Sequence, residues 1–240
     1  MKTLKFGGTS VANADNIKNV LHIIQKEAQN SKLVVVISAF TGITNSLAEA
    51  ALKASKKDST YKQIVTEIES RHFEAIKNLL PISKQNALLS HTKRELNHLE
   101  SLLEGCCLLG ELPSRTLDTI LSFGELCSTY IVAEALKELV PDSTFKDTRE
   151  IIKTDSRFGK AVVHSETSNS LITNYFKSNT TQVTVLTGFI ASSEDGETTT
   201  LGRGGSDYTA AILAAALHSV QLEIWTDVNG MFTANPKIVK

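Results

Sequence analysis

The hydrophobic pattern of the chain alternates between short apolar runs and helical spacing, which predicts an α/β fold. Residues 3–6 predict a short strand, and residues 33–37 are a continuous, largely β-branched run typical of a parallel strand covered on both faces. Between them, apolar residues recur at the spacing of an amphipathic helix, at Ile17, Val20, Leu21 and Ile24. A second helix is expected to begin near Thr44, so the chain opens with a strand–helix–strand–helix order.

A mostly helical segment follows and separates these strands from those of the second half. Residues 56–59 form a polar break, after which apolar spacing predicts a helical insert over about residues 60–139. The last helix of this insert is expected over about residues 116–139 and contains Gly124 and Glu125. Helical glutamates are usually solvated, so composition alone would leave Glu125 on the surface.

The second half of the chain contains further strand signals. Residues 182–187 are an apolar run typical of a buried strand, and Phe145 and Ile151-Ile152 predict two shorter ones. Asp195-Gly196 is a hairpin turn signal, which would fold the threonines that follow back as an antiparallel strand. The remaining predicted elements are a helix and a strand, at residues 171–176 and 222–226.

The stretch around Arg203 passes from a strand through a glycine turn into an alanine-rich helix. Residues 210–217 are strong helix formers, and Ser206 or Asp207 is expected as the N-cap. Free backbone N–H groups and the helix dipole favour an anion at such a turn, and the arginine adds a planar donor fork that suits carboxylate or phosphate. A plain glycine turn with a solvated arginine is the alternative that this stretch alone leaves open.

Composition narrows the functional classes. The 240 residues are 41% hydrophobic and 21% charged with a formal net charge of −1, so the charge does not favour nucleic acid or an acidic membrane as a partner. No apolar run reaches the roughly 18 residues of a membrane span, and the N-terminus lacks a signal-peptide core. The three cysteines have no metal-ligand spacing, so we interpret them as reduced thiols of a cytoplasmic protein and expect no metal site built by the protein.

Five loops are candidates for a binding site, because ligands of open parallel sheets bind beyond the carboxyl ends of the strands. These loops are residues 7–10, 38–44, 188–189, 202–207 and 226–227. They would bring glycine turns, Lys5, Arg203 and two aspartates to one edge. The lysine and glycines do not follow the order of a Walker A loop, and no G-x-G-x-x-G follows a strand. The residues alone therefore predict a phosphate-binding α/β protein and nothing narrower.

Five motifs, in order along nearly the whole chain, resemble the signature sequences of aspartate kinases. They are Lys5-Phe6-Gly7-Gly8-Thr9-Ser10-Val11, Ser38-Ala39 with Gly42-Ile43-Thr44-Asn45, Phe123-Gly124-Glu125-Leu126, residues 200–211, and Trp225-Thr226-Asp227-Val228-Asn229-Gly230. The resemblance implies the amino-acid kinase fold, a three-layer αβα sandwich with a mostly parallel central sheet. It also implies transfer of the γ-phosphate of ATP, carried with Mg²⁺, to the side-chain carboxylate of L-aspartate. The product would be 4-phospho-L-aspartate, a precursor of lysine, threonine and methionine.

The resemblance also assigns roles around the amino acid. Lys5 would act on the transferring phosphoryl group, and Asp207 would orient Lys5. Arg203 would hold the substrate α-carboxylate and Glu125 the α-ammonium, a reversal of the solvated position expected for a helical glutamate. The remaining substrate-binding residues would be Ser38, Thr44, Gly204, Gly205 and Ser206. A carboxylate nucleophile with a reference pKa of about 3.9 is already ionised at neutral pH, so this chemistry needs no general base.

On the nucleotide side, the resemblance places ATP along two groups of residues. Lys5, Gly7, Gly8 and Thr9 would hold phosphate, and further contacts would come from Thr226, Asp227, Phe232 and Lys237. Two departures from the family pattern fall here, because the family usually has tyrosine at Phe232 and Asp-Pro-Arg where Asn235-Pro236-Lys237 stands. Lysine lacks the planar fork of arginine, so we expect weaker nucleotide contacts at this position.

Three further expectations concern the whole protein. Residues 1–240 are expected to form an incomplete amino-acid kinase catalytic domain, the front part of a longer protein that is either a monofunctional aspartate kinase or a kinase fused to homoserine dehydrogenase. The longer protein is expected to form homo-oligomers, with contacts through regulatory ACT domains absent from this chain. A kinase for glutamate or acetylglutamate is one alternative, although the pairing of Glu125 with Arg203 favours a free amino acid. A fragment that binds aspartate without catalysing phosphorylation is the other.

Overall fold

The computed structural model describes residues 1–226 and residue 230, and these form eight strands and seven helices. The strands are β1 (Lys2–Phe6), β2 (Leu33–Ile37), β3 (Ser143–Lys146), β4 (Lys153–Thr154), β5 (Val183–Thr187), β6 (Ile190–Ser193), β7 (Thr198–Thr200) and β8 (Gln221–Trp225). The helices are α1 (Ala14–Ala28), α2 (Ile43–Ser55), α3 (Tyr61–Leu79), α4 (Ile82–Leu109), α5 (Ser114–Leu136), α6 (Ser165–Ser178) and α7 (Gly205–Ala216).

The main sheet contains five parallel strands in the order β3-β5-β2-β1-β8. The register pairs Phe6 with Ile37 on one side and with Trp225 on the other, and Ile37 pairs with Thr187. The carboxyl ends of four strands are therefore level with one another. The loops that follow β1, β2 and β5, together with Thr226 after β8, emerge at one edge, as predicted from the sequence.

Helices cover both faces of this sheet, and the alternation of side chains along each strand decides which face each residue joins. Leu4 and Phe6 pack with the layer that contains α1 to α5. Val34 and Val36 pack with the layer that contains α6 and α7. The predicted three-layer αβα sandwich with a mostly parallel sheet is confirmed. Leu4 is completely buried, and its replacement by alanine would cost about 2–5 kcal/mol of unfolding free energy.

A second, smaller sheet carries the hairpin predicted at Asp195-Gly196. Its order is β4-β6-β7, with β6 and β7 antiparallel, so the hairpin is confirmed. The strand predicted at Ile151-Ile152 is wrong, because a 3₁₀ turn at Thr148–Glu150 precedes it and uses the local backbone groups. The Ile152 N–H donates to the Thr148 carbonyl at 2.8 Å. The Ile152 carbonyl accepts from the Ser192 N–H at 3.2 Å, and the paired register with β6 starts at Lys153.

The start of α7 also differs from the prediction. Neither Ser206 nor Asp207 caps this helix, because Gly204 takes the N-cap position in the left-handed conformation, with φ of +75°. Glycine adopts this conformation without steric cost. Ser206 and Asp207 therefore lie in the first turn, where their side chains face Ser38 and Lys5 instead of the backbone.

Helix α5 runs through the core and positions two buried carboxylates, Asp118 and Glu125. It begins after Pro113 and ends at Leu136, whereas the sequence predicted about residues 116–139. Among the described residues, it is the one helix long and apolar enough to cross a membrane by length and composition. Most of its apolar stretch is buried inside the protein, the position of a core helix.

Candidate active site

Nine of the predicted site residues line one pocket at the carboxyl edge of the main sheet. The pocket has a volume of about 330 Å³, within the range of small-molecule sites. The predicted residues are Lys5, Ser38, Thr44, Glu125, Arg203, Gly204, Gly205, Ser206 and Asp207, and the pocket adds Asn45, Phe189 and Gly202. A larger cleft of about 440 Å³ lies between the start of α1 and α3 and contains none of the predicted residues.

Lys5 reaches the pocket from strand β1, which lies between β2 and β8 in the main sheet. Because Leu4 and Phe6 face the α1 to α5 layer, strand alternation turns Lys5 towards α7. Its Nζ lies 2.6 Å from Oδ1 of Asp207, and the lysine side chain is only 9% exposed. A Cβ at Gly7 would lie 3.3 Å from the same Nζ, so glycine at this position leaves the ammonium group its space. The pair holds Lys5 at the pocket wall.

Glu125 approaches the pocket from α5 and is 2% exposed. Its Oε1 accepts a hydrogen bond from the Ala39 N–H at 3.2 Å, whereas its Oε2 is buried and has no partner among the described residues. A Cβ at Gly124 would lie 3.0 Å from the Ala39 side chain, so this glycine lets α5 pack close to the loop after β2. Burial raises the pKa of Glu125 to about 8, against the lowering effect of the Ala39 N–H and the Lys5 charge. The site therefore favours a cation that can pair with Oε2.

Arg203 occupies the opposite wall, on the turn between β7 and α7. Gly202 and Gly204 flank it with φ of +73° and +75°, which gives the tight turn that exposes the side chain. Within residues 1–226 and 230, Arg203 makes no hydrogen bond or ion pair. The turn leads directly into the first residues of α7, where the helix dipole also favours negative charge. This wall is suited to a carboxylate.

Hydroxyl groups lie between these two walls. The Ser38 and Ser206 Oγ atoms are 3.1 Å apart, and Ser128 fixes the loop by donating to the Ser38 carbonyl at 2.9 Å. Thr44 is half-buried near the start of α2. A Cβ at Gly188 would lie 2.6 Å from the Ser206 side chain, so only glycine after β5 allows Ser206 this position.

Phe189 lines the pocket, although the sequence predicted only its loop, and not this side chain, as part of the site. Its backbone has φ of +67°, an unusual conformation for a bulky residue and one that clusters at functional sites. The Phe189 N–H donates to Thr209 Oγ1 at 3.0 Å, which ties this loop to α7. A Cβ at Gly205 would lie 2.7 Å from the Phe189 ring, so the ring is seated against the start of α7. The sequence signal was a glycine followed by an aromatic residue at the end of a buried strand.

The predicted phosphate loop lies beside this pocket. The Gly7 N–H donates to the Trp225 carbonyl at 3.1 Å, which joins the loop after β1 to the end of β8. A Cβ at Gly8 would lie 3.1 Å from the Ala39 carbonyl, so the loops after β1 and β2 are in contact. Thr9 and Thr226 are exposed at this edge. The predicted nucleotide residues Asp227, Phe232 and Lys237 lie outside the described residues, as does the segment 235–237.

Where the structure is described, no group of three His, Cys, Asp or Glu side chains is placed to hold a metal ion. Mg²⁺ commonly binds through substrate phosphates with only one or two carboxylates, so a magnesium ion here would be held mainly by the nucleotide.

The amino acid kinase family profile matches residues 2–240 of the chain. The chain belongs to the amino acid kinase family. Among members of this family, it is 37% identical over 236 residues to lysine-sensitive aspartokinase 3 of Escherichia coli, a match that covers 98% of the chain and 51% of that protein. It is 33% identical over 243 residues to a bifunctional aspartokinase/homoserine dehydrogenase of Buchnera aphidicola, which covers 100% of the chain and 30% of that protein.

The fold agrees with that of a solved amino acid kinase. The crystal structure of E. coli aspartokinase III in complex with aspartate and ADP superposes with a TM-score of 0.89 and 34% identity, covering 100% of the chain and 52% of that structure. The chain thus spans about half the length of the aspartokinases it matches and less than a third of the bifunctional relative.

Proposed function

We propose that this chain is the catalytic part of an aspartate kinase, which phosphorylates the side-chain carboxylate of L-aspartate with ATP. The observation that carries the proposal is the buried Glu125 carboxylate, which shares one pocket with the Arg203 guanidinium. Within residues 1–226 and 230, the Glu125 Oε2 and the Arg203 guanidinium both have no partner. A free α-amino acid presents an ammonium and a carboxylate on one carbon, so it matches both groups at once. The aspartate and ADP named in the solved E. coli relative agree with this choice.

The reaction needs positioning more than proton transfer. An oxygen of the aspartate side-chain carboxylate forms a bond to the γ-phosphorus, and the bond from that phosphorus to the bridging oxygen breaks, so ADP leaves with the electron pair. Lys5, held by Asp207 at 2.6 Å, supplies positive charge next to the transferring group. In this proposal, backbone groups of Gly7, Gly8 and Thr9, in the loop after β1, contact the phosphates.

The nucleotide binds beyond β1 and β8 in this proposal. Thr226 is at the end of β8, and Asp227, Phe232 and Lys237 follow it in the sequence. When bound with the nucleotide, Mg²⁺ neutralises charge on the phosphate oxygens. The contribution of the chain is to hold the amino acid between Glu125 and Arg203 so that its side chain points to Lys5.

One alternative is a kinase for acetylglutamate or glutamate, and the other is a fragment that does not catalyse phosphorylation. Acetylglutamate has no ammonium group, so its binding would leave the Glu125 Oε2 buried and without a cationic partner. Glutamate keeps both charges but is one methylene longer. A difference of one methylene changes the kcat/KM of a substrate by about 10–200-fold. A fragment that binds aspartate without turnover applies to residues 1–240 alone, and comparison with a version extended beyond Lys240 separates it.

The decisive experiment measures ADP release by the full-length protein with aspartate, glutamate and acetylglutamate as acceptors. We expect release that depends on aspartate and formation of 4-phospho-L-aspartate. ADP release that ignores aspartate but responds to another acceptor would contradict the proposal. Equal activity of residues 1–240 and of the extended protein would rule out the fragment alternative.

The proposed activity also suggests a cellular setting. Its product would supply lysine, threonine and methionine biosynthesis, and we place the enzyme in the cytoplasm as a homo-oligomer. Cys106 and Cys127 are buried free thiols and Cys107 is a half-buried one, as expected in a reducing compartment. Thiol labelling of freshly prepared protein, together with light scattering of the full-length protein, would test this setting.

A further inference from the structure

Asp118 is a buried carboxylate that lies outside the pocket, but its hydrogen-bond partners belong to segments that support the pocket. It lies on α5 two helical turns before Glu125, on the same face of the helix. It is 1% exposed and, unlike Glu125, both of its oxygens are hydrogen-bonded. A buried carboxylate without such bonds would be costly, so these contacts fix its position.

The partners of Asp118 are the end of β7 and a neighbouring loop. Oδ2 accepts hydrogen bonds from the N–H groups of Thr200 at 2.9 Å and Gly159 at 2.8 Å. Oδ1 accepts from the Thr200 hydroxyl at 2.9 Å. Burial raises the pKa of Asp118, and these three donors oppose the increase. One side chain of α5 therefore holds two separate backbone segments.

Both segments support the Arg203 turn. Thr200 is the last residue of β7, and Arg203 follows three residues later. A Cβ at Gly202 would lie 3.4 Å from the Gly159 carbonyl, so the neighbouring loop packs directly beneath the turn. The Ala161 N–H donates to the Thr200 carbonyl at 3.1 Å, which is a second contact between this loop and the end of β7. The base of the turn is thus attached to the same helix that carries Glu125.

We propose that Asp118 is a positioning residue for amino-acid binding, which sets the separation between Glu125 and Arg203 by tying the base of the Arg203 turn to α5. The inference rests on the proposed function, because it assumes that these two groups bind the two ends of one substrate. Asp118 does not touch the substrate. It acts on the substrate α-carboxylate through Thr200 and the turn.

The first test is Asp118→Asn in the full-length protein. The amide keeps the size of the carboxylate but points its NH₂ group at backbone donors that need an acceptor. We expect the KM for aspartate to rise about tenfold while the KM for ATP changes less than about twofold, because a small displacement of a substrate-positioning group has large effects.

A matched pair of valine variants covers the case in which Asp118→Asn does not fold. Thr200→Val removes the hydroxyl bond to Asp118, and Thr199→Val removes an equally buried hydroxyl bond, 2.8 Å long, to Thr154. The two changes are neighbours on β7 and should destabilise the protein similarly. We expect only Thr200→Val to raise the KM for aspartate, by about threefold or more.

Two outcomes would overturn the inference. One is an equal rise in the KM for aspartate with Thr199→Val and Thr200→Val, and the other is a parallel rise in both KM values with Asp118→Asn. If the wild-type protein does not use aspartate, the proposed function fails by itself. Hydrogen exchange then decides, since the positioning role requires faster exchange at residues 201–204 in Thr200→Val than in Thr199→Val. Equal exchange in the two variants would refute it.

Discussion

The two charged groups that we assign to the ends of the amino acid are built in opposite ways. Glu125 is buried on a core helix, where one oxygen accepts from a backbone N–H and the other has no partner in the described part of the chain. Arg203 is exposed on a glycine turn and, among the described residues, forms no ion pair. A buried charge without a partner is strongly disfavoured, whereas an exposed one is well solvated.

Because of this difference, we expect Glu125 to select among ligands and Arg203 to attract the substrate. Burial keeps Glu125 mostly protonated in the ligand-free protein at neutral pH, and its ionised form becomes favourable only when a cation reaches Oε2. Ligands with an ammonium group therefore gain an ion pair that other ligands lack. Arg203 remains in water until an anion arrives, so it can attract the substrate but discriminates weakly. We therefore expect changes at Glu125 to alter which ligands bind, and changes at Arg203 to alter how strongly they bind.

Replacement of Lys5 by methionine is expected to have the largest effect, because it removes the positive charge towards which both groups direct the substrate. We expect kcat to fall by about 10²–10³-fold with a much smaller change in the KM for aspartate. Steady-state kinetics of ADP release measure both values. Lys2→Met is the matched control on the same strand, since Lys2 pairs with Glu27 at 2.7 Å outside the pocket. An unchanged kcat in Lys5→Met would remove Lys5 from the mechanism.

Glu125→Gln tests the selective group and is expected to have the second largest effect. The amide cannot pair ionically with the ammonium group, so the KM for aspartate should rise about 10²-fold or more. Competition by succinate, which resembles aspartate without the ammonium group, should become stronger relative to aspartate. Glu134→Gln, on the same helix but ion-paired with Lys137, is the control. Unchanged discrimination between aspartate and succinate would contradict the selective role of Glu125.

Some of these groups could be placed in the site from local sequence patterns, whereas others could not. The strands that end at Phe6, Ile37 and Thr187 were predicted from the sequence, and the parallel-sheet rule then brought their loops to one edge. Arg203 was readable because glycines on both sides mark an exposed turn. Periodicity did not place Glu125 in the pocket, since a helical glutamate is usually solvated. Its assignment came from the family resemblance.

What the sequence could not provide is the set of long-range contacts that support the pocket. Asp118 accepts hydrogen bonds from Gly159 and Thr200, which lie 41 and 82 positions later in the chain. No local sequence pattern indicates such pairs. Phe189 adopts a positive φ that its residue type disfavours and that the surrounding packing imposes. The wrong N-cap at Ser206 and Asp207 has a similar origin, because both side chains are used by the pocket instead of the helix.

Arg203→Lys tests the exposed group and is expected to have a smaller effect than Glu125→Gln. Lysine keeps the charge but loses the planar two-pronged geometry, so the KM for aspartate should rise about tenfold with little change in the succinate discrimination. Because the group is exposed, added salt should weaken aspartate binding in the wild type. Arg157→Lys, another exposed arginine, is the control. A change in ligand discrimination as large as that of Glu125→Gln would show that the two groups do not divide these roles.

The pH dependence of aspartate binding is expected to be the smallest of these effects and to follow Glu125 alone. With a pKa of about 8 in the ligand-free protein, Glu125 is mostly protonated at neutral pH, and only its ionised form can pair with the ammonium group. Aspartate affinity should therefore increase roughly fivefold between about pH 7 and about pH 8. Calorimetric titration measures it, and Glu125→Gln should remove the increase.

Titration of Glu125 also predicts that the unfolding free energy falls as pH rises, whereas aspartate affinity increases. Measuring both quantities against pH therefore tests the same group twice. Burial raises the pKa of Glu125 from 4.5 to about 8, so the folded state keeps a proton that the unfolded state has lost, and the unfolding free energy of the ligand-free protein falls as pH rises between these values. Burial lowers the pKa of His72 from 6.5 to about 4, so its contribution increases with pH but is complete near pH 6.5. Between about pH 6.5 and about pH 8, denaturant unfolding should therefore show the wild type losing stability relative to Glu125→Gln. If affinity rose with pH while this stability difference stayed flat, the titrating group in aspartate binding would have to be one other than Glu125.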